Sequence, residues 1–423
     1  MHKRTVLDNG LNVITSEMKS MSSVSLGVWV GVGGRYESKE KSGISHLVEH
    51  MLFKGTRSRS TKRLKQEIEG VGGAFNGFTS DEVTCYMVKV PKKHIELGLD
   101  VLSDMVLRAK LDPRDLAKEK FVIYEEIKMY RDQPAEYVLE LLAGLMWPGN
   151  ALGRSLTGTI HTVGATTRED IVDFRNEYYN PGNVSVIAAG NVSHKKLLAS
   201  SREYFEKIRK GKISGFLAPE VSQSEPRIKF LRGNTKQAHI AMGFYCLAKT
   251  DKERFSANLM NVILGGNMSS RLFEYLREEN GLCYDIASVY KRHSDVGEIQ
   301  IHAGVDNEKV VKSVVSIVDE LKKITDKGVS SGELLRAKEY MKGQFLLAIE
   351  GTSSRMMWLG DRFVIHKNIP EVANVLKKID AISREDIRNS VRSIFAKDSV
   401  NLALISKIGE KEKLTITRKV HTL

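Results

Sequence analysis

The chain has 423 residues, of which 41% are hydrophobic and 28% charged, with a formal net charge of +13. This balance excludes wholesale disorder, and the length suits two domains of about 200 residues each better than one core. Basic residues are interspersed with acidic ones and form no block interleaved with aromatics, which argues against a nucleic-acid partner, and no apolar run is long enough to span a membrane.

The opening residues Met1 to Leu7 run directly into a strand pattern. They contain neither the apolar core of a signal peptide nor an Arg/Ser-rich presequence, so a cytoplasmic location is expected. Cys85, Cys246 and Cys283 are sparse and unpaired in spacing, which points to a reducing compartment and to small buried side chains. Val24, Leu26, Val28 and Val30 alternate with period two and predict a strand.

A helix follows. Ser42 is a candidate N-cap, and Ile44, Leu47, Val48, Met51 and Leu52 form an apolar stripe with no proline before Gly55 and Thr56. On it lies His46-Leu47-Val48-Glu49-His50. His46 and His50, at i and i+4, leave one face together and can grip a single ion, while Glu49 stays close without taking a ligand position. Two imidazoles, one further ligand and an open fourth position are what catalytic zinc requires, and a spare carboxylate can take a proton from water. H-x-x-E-H reverses the order of the familiar H-E-x-x-H zinc motif. The bland alternative is a solvated helix face.

Gly72 to Thr79 is small and strand-compatible, and Ala74 to Val90 predicts a long strand or hairpin. As an edge strand, the stretch containing Phe75 and Asn76 offers main-chain pairing to an extended peptide; a glycine-rich bend is the alternative. Helices are expected from about 92 to 147. One of them, within Lys110 to Arg131, opens at Asp112-Pro113. Glu119 and Glu126 are two turns apart on one face of it, and Glu125 points away. Glu126 is the candidate third ligand and Glu119 a candidate partner that orients a histidine or the ligand.

Thr167-Arg168-Glu169-Asp170-Ile171 recurs 216 residues later as Ser383-Arg384-Glu385-Asp386-Ile387, and an apolar strand follows each copy. An offset near half the chain implies two similar domains rather than a solenoid. We expect them at 1–209 and 226–423, joined by a linker at 210–225 rich in Gly, Ser and Pro. In the second domain, strands are expected near Ala238–Phe244, Cys283–Lys291 and Glu298–Val305, with long helices from Asn307 to Ile349. No histidine falls in Phe255 to Gly266, where the counterpart of the motif helix belongs, so only the first domain binds metal. Gly265 to Ser270 lacks the lysine of a phosphate loop and suits a helix-capping turn. The order of elements predicts an α+β fold, two homologous domains each with a mainly antiparallel sheet and helices packed on one face.

Taken with Glu126, 76 residues after His50, the motif resembles that of the pitrilysin and insulinase family of zinc peptidases, in particular the short-chain branch that includes the mitochondrial processing peptidases and bacterial relatives. The resemblance runs through Leu7 to Leu11, Gly72 to Asn76, Gly265 to Phe273, Arg277 and Gly281 to Tyr284. It implies one Zn2+ per chain on His46, His50 and Glu126, with Glu49 as general base and Glu119 in support. It further implies that Asn76 holds the scissile region and that Arg277 and Tyr284 meet the oxyanion. Gly77 departs from the alanine usual in the family. The implied activity is endopeptidase cleavage of extended peptides or unfolded segments in a chamber between two halves, with a homodimer as the assembly. A non-catalytic assembly subunit of the same family is the alternative.

Overall fold

The computed structural model describes residues 2–208, 210–211, 213–396 and 398–423. Eleven strands are described: β1 (Lys3–Val6), β2 (Asn12–Glu17), β3 (Ser23–Val30), β4 (Ala74–Thr79), β5 (Thr84–Pro91), β6 (Val184–Gly190), β7 (Arg227–Arg232), β8 (Gln237–Cys246), β9 (Cys283–Arg292), β10 (Gly297–Asp306) and β11 (Asn401–Ser406). The helices of the first half are α1 (Ile44–Leu52), α2 (Thr61–Glu69), α3 (Ile95–Arg108), α4 (Pro113–Arg131), α5 (Pro134–Met146), α6 (Ile160–Ala165), α7 (Arg168–Tyr178) and α8 (His194–Phe205). Those of the second are α9 (Arg254–Gly265), α10 (Val310–Lys327), α11 (Ser331–Ala348), α12 (Thr352–His366), α13 (Val372–Asp380), α14 (Arg384–Ile394) and α15 (Glu410–Val420).

Two compact units result. The first comprises Met1–Lys128, Ser155–Leu217 and Leu346–Glu371; the second comprises Met129–Arg154, Ala218–Phe345 and Val372–Leu423. The contiguous halves expected from the sequence therefore differ from these units in two exchanged segments, which carry α5 and α12. Arg209 and Lys212, at the edge of and within the expected linker, lie outside the described residues.

The sheet of the first unit has the order β1-β2-β6-β3-β5-β4, and that of the second β7-β11-β8-β10-β9. Only β2–β6 and β7–β11 run parallel; every other neighbouring pair is antiparallel. The second sheet repeats the first from β2 onward. The helices before β6 and β11 begin alike. Thr167 and Asp170, and likewise Ser383 and Asp386, exchange side-chain and backbone hydrogen bonds in a capping box, which satisfies amides that a helix start otherwise leaves unpaired.

Strand β3 shows why the units are built as they are. Val24, Leu26, Val28 and Val30 enter the main core with Leu47, Val48 and Met51 of α1 and Leu99 and Leu102 of α3. The opposite face, which period-two reading assigns to solvent, is buried as well, because α12 covers it. Trp29 Nε1 donates to Met356 Sδ at 3.3 Å, and Ser25 shares a 2.9 Å hydrogen bond with Thr352. In the second unit α5 does the same for β8 and β11, packing Val138, Leu142 and Met146 on Ala241, Ala403 and Ile405. Gly27 of β3 and Gly243 of β8 both lie under the covering helix. A side chain at either would press on a methionine sulfur, that of Met356 or Met146. Each sheet thus has its main helical layer on one face, as expected, and one further helix on the other.

Gly360 of α12 lies flat on the Trp29 indole, and a Cβ there would overlap the ring. Gly360→Ala is expected to destabilise the protein by about 1–3 kcal/mol through overpacking, read as a lower unfolding midpoint; an unchanged midpoint would show that the helix slides freely.

In the second unit Arg271 binds both carboxylate oxygens of Glu333, at 2.6 and 3.0 Å. Burial alone would raise the Glu333 pKa, but the bonds from Arg271 and Ser330 outweigh it and hold the pKa at about 2. The folded value lies below the ordinary 4.5, so the stabilisation is complete above 4.5 and is lost as pH falls towards 2. Glu333→Gln is expected to lower stability at neutral pH, with the gap to the wild type closing in acid. A gap independent of pH in denaturant titrations would refute the linkage.

Candidate metal centre and active site

Helix α1 starts at a tight corner. Gly43 precedes it with φ of 92°, a left-handed conformation that suits glycine. The N-cap expected at Ser42 is not made: no side chain on the capping residue bonds the helix end. Instead the carboxylate of Glu37 reaches in and accepts the N–H groups of Gly43 and Ser45, at 2.7 and 2.8 Å. A negative charge at a helix N-terminus is favoured by the helix dipole as well as by the hydrogen bonds. Ile44, Leu47, Val48, Met51 and Leu52 are buried, which turns His46 and His50 to the margin of the core.

Helix α4 supplies the acids. It opens at Pro113, with Asp112 accepting the N–H of Arg114 at 2.9 Å. Glu126 Oε2 lies 3.7 Å from His46 Nε2 and 3.9 Å from His50 Nε2. Four ligands at about 2.0–2.1 Å from a tetrahedral ion stand about 3.3 Å apart, so these three groups need only small closure to hold zinc. Among the described residues they are the one group of three such side chains whose ligand atoms all lie within 4.8 Å of one another. Glu119 Oε2 is 3.1 Å from His50 Nδ1, and its other oxygen is 2.5 Å from Lys54 Nζ. This contact assigns the proton of the His50 ring to Nδ1 and leaves Nε2 free to bind metal. Glu125 turns outward to Lys128, as its helical angle requires.

The protonation states agree with this division. Burial, then the neighbouring charge of His50, lowers His46 to about 4, so it is neutral at physiological pH, as a metal ligand needs to be. Burial pulls His50 down too, but Glu119, Glu49 and Glu126 outweigh it and raise its pKa. Glu119 is 5% exposed; burial pushes its carboxyl up, yet the bonds to His50 and Lys54 bring it below the ordinary value. Glu126 is raised by burial against the pull of His50. Glu49 is raised mainly by burial, opposed by His50 and by a hydrogen bond from Thr79. A base shifted towards neutrality both accepts and returns a proton efficiently.

Strand β4 lies at the edge of its sheet, as the sequence anticipates, paired on one side with β5. Phe75 packs against Phe53 with ring centres 5.4 Å apart. Asn76 is exposed and accepts the N–H of Gly77 at 2.9 Å. A Cβ at Gly77 would lie 2.8 Å from Phe53 Cε2 and 3.0 Å from Glu49 Oε1. Here the glycine makes room for those two side chains.

Arg277 and Tyr284 belong to the second unit and meet each other there. The Arg277 guanidinium lies 5.0 Å from the Tyr284 ring centre and 4.7 Å from that of Phe273. Arg277 sits in a π-helical turn, Phe273–Glu279, and Tyr284 falls at a register shift between β9 and β10. Both irregularities re-aim side chains and recur at functional sites. The shift leaves Tyr284 76% exposed. Asn267 caps its own loop through the N–H and hydroxyl of Ser269, consistent with a turn rather than a phosphate cradle.

Three contributors escape a reading of the chain alone. Lys54 stands four residues after His50, a spacing that pointed to it. Thr79 shares a strand face with Gly77, which the period of two could have exposed. Glu37 had no local signal, since its bonds depend on a loop closing back on α1. If Glu119 orients His50, Glu119→Ala should weaken zinc binding by about 10–100-fold in a competition with a chromogenic chelator. Unchanged affinity would leave Glu119 only its ion pair with Lys54.

Comparisons with known proteins converge on one family. Residues 12–160 match the family model described as Insulinase (Peptidase family M16), and residues 165–341 match the Peptidase M16 inactive domain. An uncharacterized zinc protease of Bacillus subtilis is 35% identical over 97% of this chain and 99% of its own length. One from Streptomyces coelicolor is 34% identical over 97% of this chain and 90% of its own. The fold is that of a protease from Helicobacter pylori, with a TM-score of 0.89 at 21% identity over 96% of this chain and 99% of that one. A peptidase M16 inactive domain from Pseudomonas fluorescens also gives 0.89, at 16% identity over 97% and 98% of the two chains. With the site residues in place and this similarity along nearly its whole length, the chain belongs to the insulinase family, peptidase family M16.

Proposed function

We propose that the protein is a zinc metalloendopeptidase that hydrolyses peptide bonds in extended peptides or unfolded segments. The observation that carries this reading is the convergence of His46, His50 and Glu126 beside a separate half-buried carboxylate, Glu49. His46, His50 and Glu126 would hold one zinc ion per chain. Bound there, zinc supplies Lewis acidity that polarises a peptide carbonyl and makes water a better nucleophile.

The chain's own groups do the rest. The unpaired edge of β4 offers backbone donors and acceptors to an extended peptide, a recognition that selects conformation before sequence. Glu49 accepts a proton from the attacking water and delivers it to the departing amine, so that water is divided between a new carboxylate and a new amino group. Arg277 and Tyr284 are proposed to stabilise the developing oxyanion, for which a guanidinium and a phenol are suited. The same reading takes the protein to be a cytoplasmic homodimer. Among the described residues, no helix is long and apolar enough to cross a membrane.

Glu49→Gln should retain one zinc per chain by elemental analysis while losing about 10²–10⁴-fold in peptide hydrolysis. A chelator should abolish wild-type cleavage of a mixed peptide library, and added zinc should restore it. A fully metallated wild type that cleaves nothing would instead support a non-catalytic assembly subunit. A metallated Glu49→Gln with normal turnover would overturn the role of Glu49.

A further inference from the structure

We propose that Thr79 is a positioning residue for Glu49, and that β4 forms a slot for this carboxylate, so that the strand offered to the substrate also aims the base. The inference rests on the peptidase reading above. Phe75, Gly77 and Thr79 alternate along β4 and face α1, as strand geometry dictates. Thr79 Oγ1 donates to Glu49 Oε2 at 3.1 Å. The other oxygen, Oε1, lies 3.0 Å from where a Cβ on Gly77 would stand. One strand therefore locates both oxygens, the first through a hydroxyl and the second through a missing side chain.

The need for such a slot follows from the side chain itself. A glutamate has three torsions and several rotamers of similar energy, and Glu49 is carried on a helix that contributes no hydrogen bond to its carboxylate among those described. Holding it in one rotamer requires a partner from another element, and Thr79 is that partner. The consequence is coupling. β4 is paired on its inner side with β5, where Thr79 faces Thr84, and its outer side is the sheet edge. A peptide added to that edge restrains the β4 backbone from both sides, and with it the hydroxyl that orients the base. Binding of an extended backbone and alignment of the catalytic carboxylate then become one event, which favours turnover of chains that pair along the strand.

The test compares Thr79→Val, which keeps the shape and removes the hydroxyl, with Thr79→Ser, which keeps the hydroxyl. Zinc content, kcat and KM are measured on an internally quenched peptide, and crystal structures of both variants and the wild type are solved. Thr79→Val should lose about 10–100-fold in kcat with little change in KM or zinc, and Thr79→Ser should recover most of it. In the crystal, Glu49 should leave its slot in the valine variant and stay in the serine variant. Wild-type kcat in Thr79→Val, equal losses in both variants, or an unmoved Glu49 in the valine variant would overturn the proposal. Should the wild type cleave no peptide, the peptidase reading fails, and the position of Glu49 in the crystals still decides the role of Thr79.

Discussion

Glu119 Oε2 and His50 Nδ1 lie 3.1 Å apart, joining α1 to α4, and the rest of the candidate metal site depends on that contact. A histidine on a helix margin has two ring nitrogens and rotational freedom, and it becomes a defined ligand only when one nitrogen is occupied. Glu119 occupies Nδ1, and Lys54 holds the other carboxylate oxygen. The free Nε2 then faces the space shared with His46 and Glu126. Because Glu119 and Glu126 ride on one helix face, the helix that orients His50 also delivers the candidate third ligand.

The cost of assembling these groups is visible in their protonation. Three carboxylates and two imidazoles are gathered in a partly buried corner, and the groups in which burial outweighs the opposing contacts shift towards neutrality: His46 downward, Glu49 and Glu126 upward. The paired groups move the other way, His50 up and Glu119 down. A divalent cation between His46, His50 and Glu126 would offset that burial of charge, which is the physical argument for a metal at this place.

A site of this kind needs a rigid base, and the sheets provide it by being covered twice. A sheet with one bare face would leave Trp29 in water; α12 buries it, and α5 does the corresponding work for Ala241 and Ala403 in the other unit. The close approach of these helices is possible because Gly27, Gly243 and Gly360 carry no side chain where the helix meets the strand. The two sheets thus share a topology and the use of a glycine beneath the covering helix, while His46, His50 and Glu126, the candidate metal ligands, belong to the first unit.

Much of this protein was legible in its residues because the relevant signals are local. The spacing of His46 and His50, the two turns between Glu119 and Glu126, the Asp112-Pro113 helix start and the repeated segments at Thr167 and Ser383 all act within one element, where sequence distance is spatial distance. The burial of both faces of β3 was not legible, since alternating valines and leucines describe one face and say nothing of a helix arriving more than 300 residues later. The same holds for Glu37 at the start of α1, for the exchanged segments of the two units, and for the reach of Thr79 to Glu49. The sequence by itself singled out the candidate ligands and the candidate base. Only the tertiary structure decided their partners, because hydrogen bonds and close packing between elements depend on positions that no periodicity encodes.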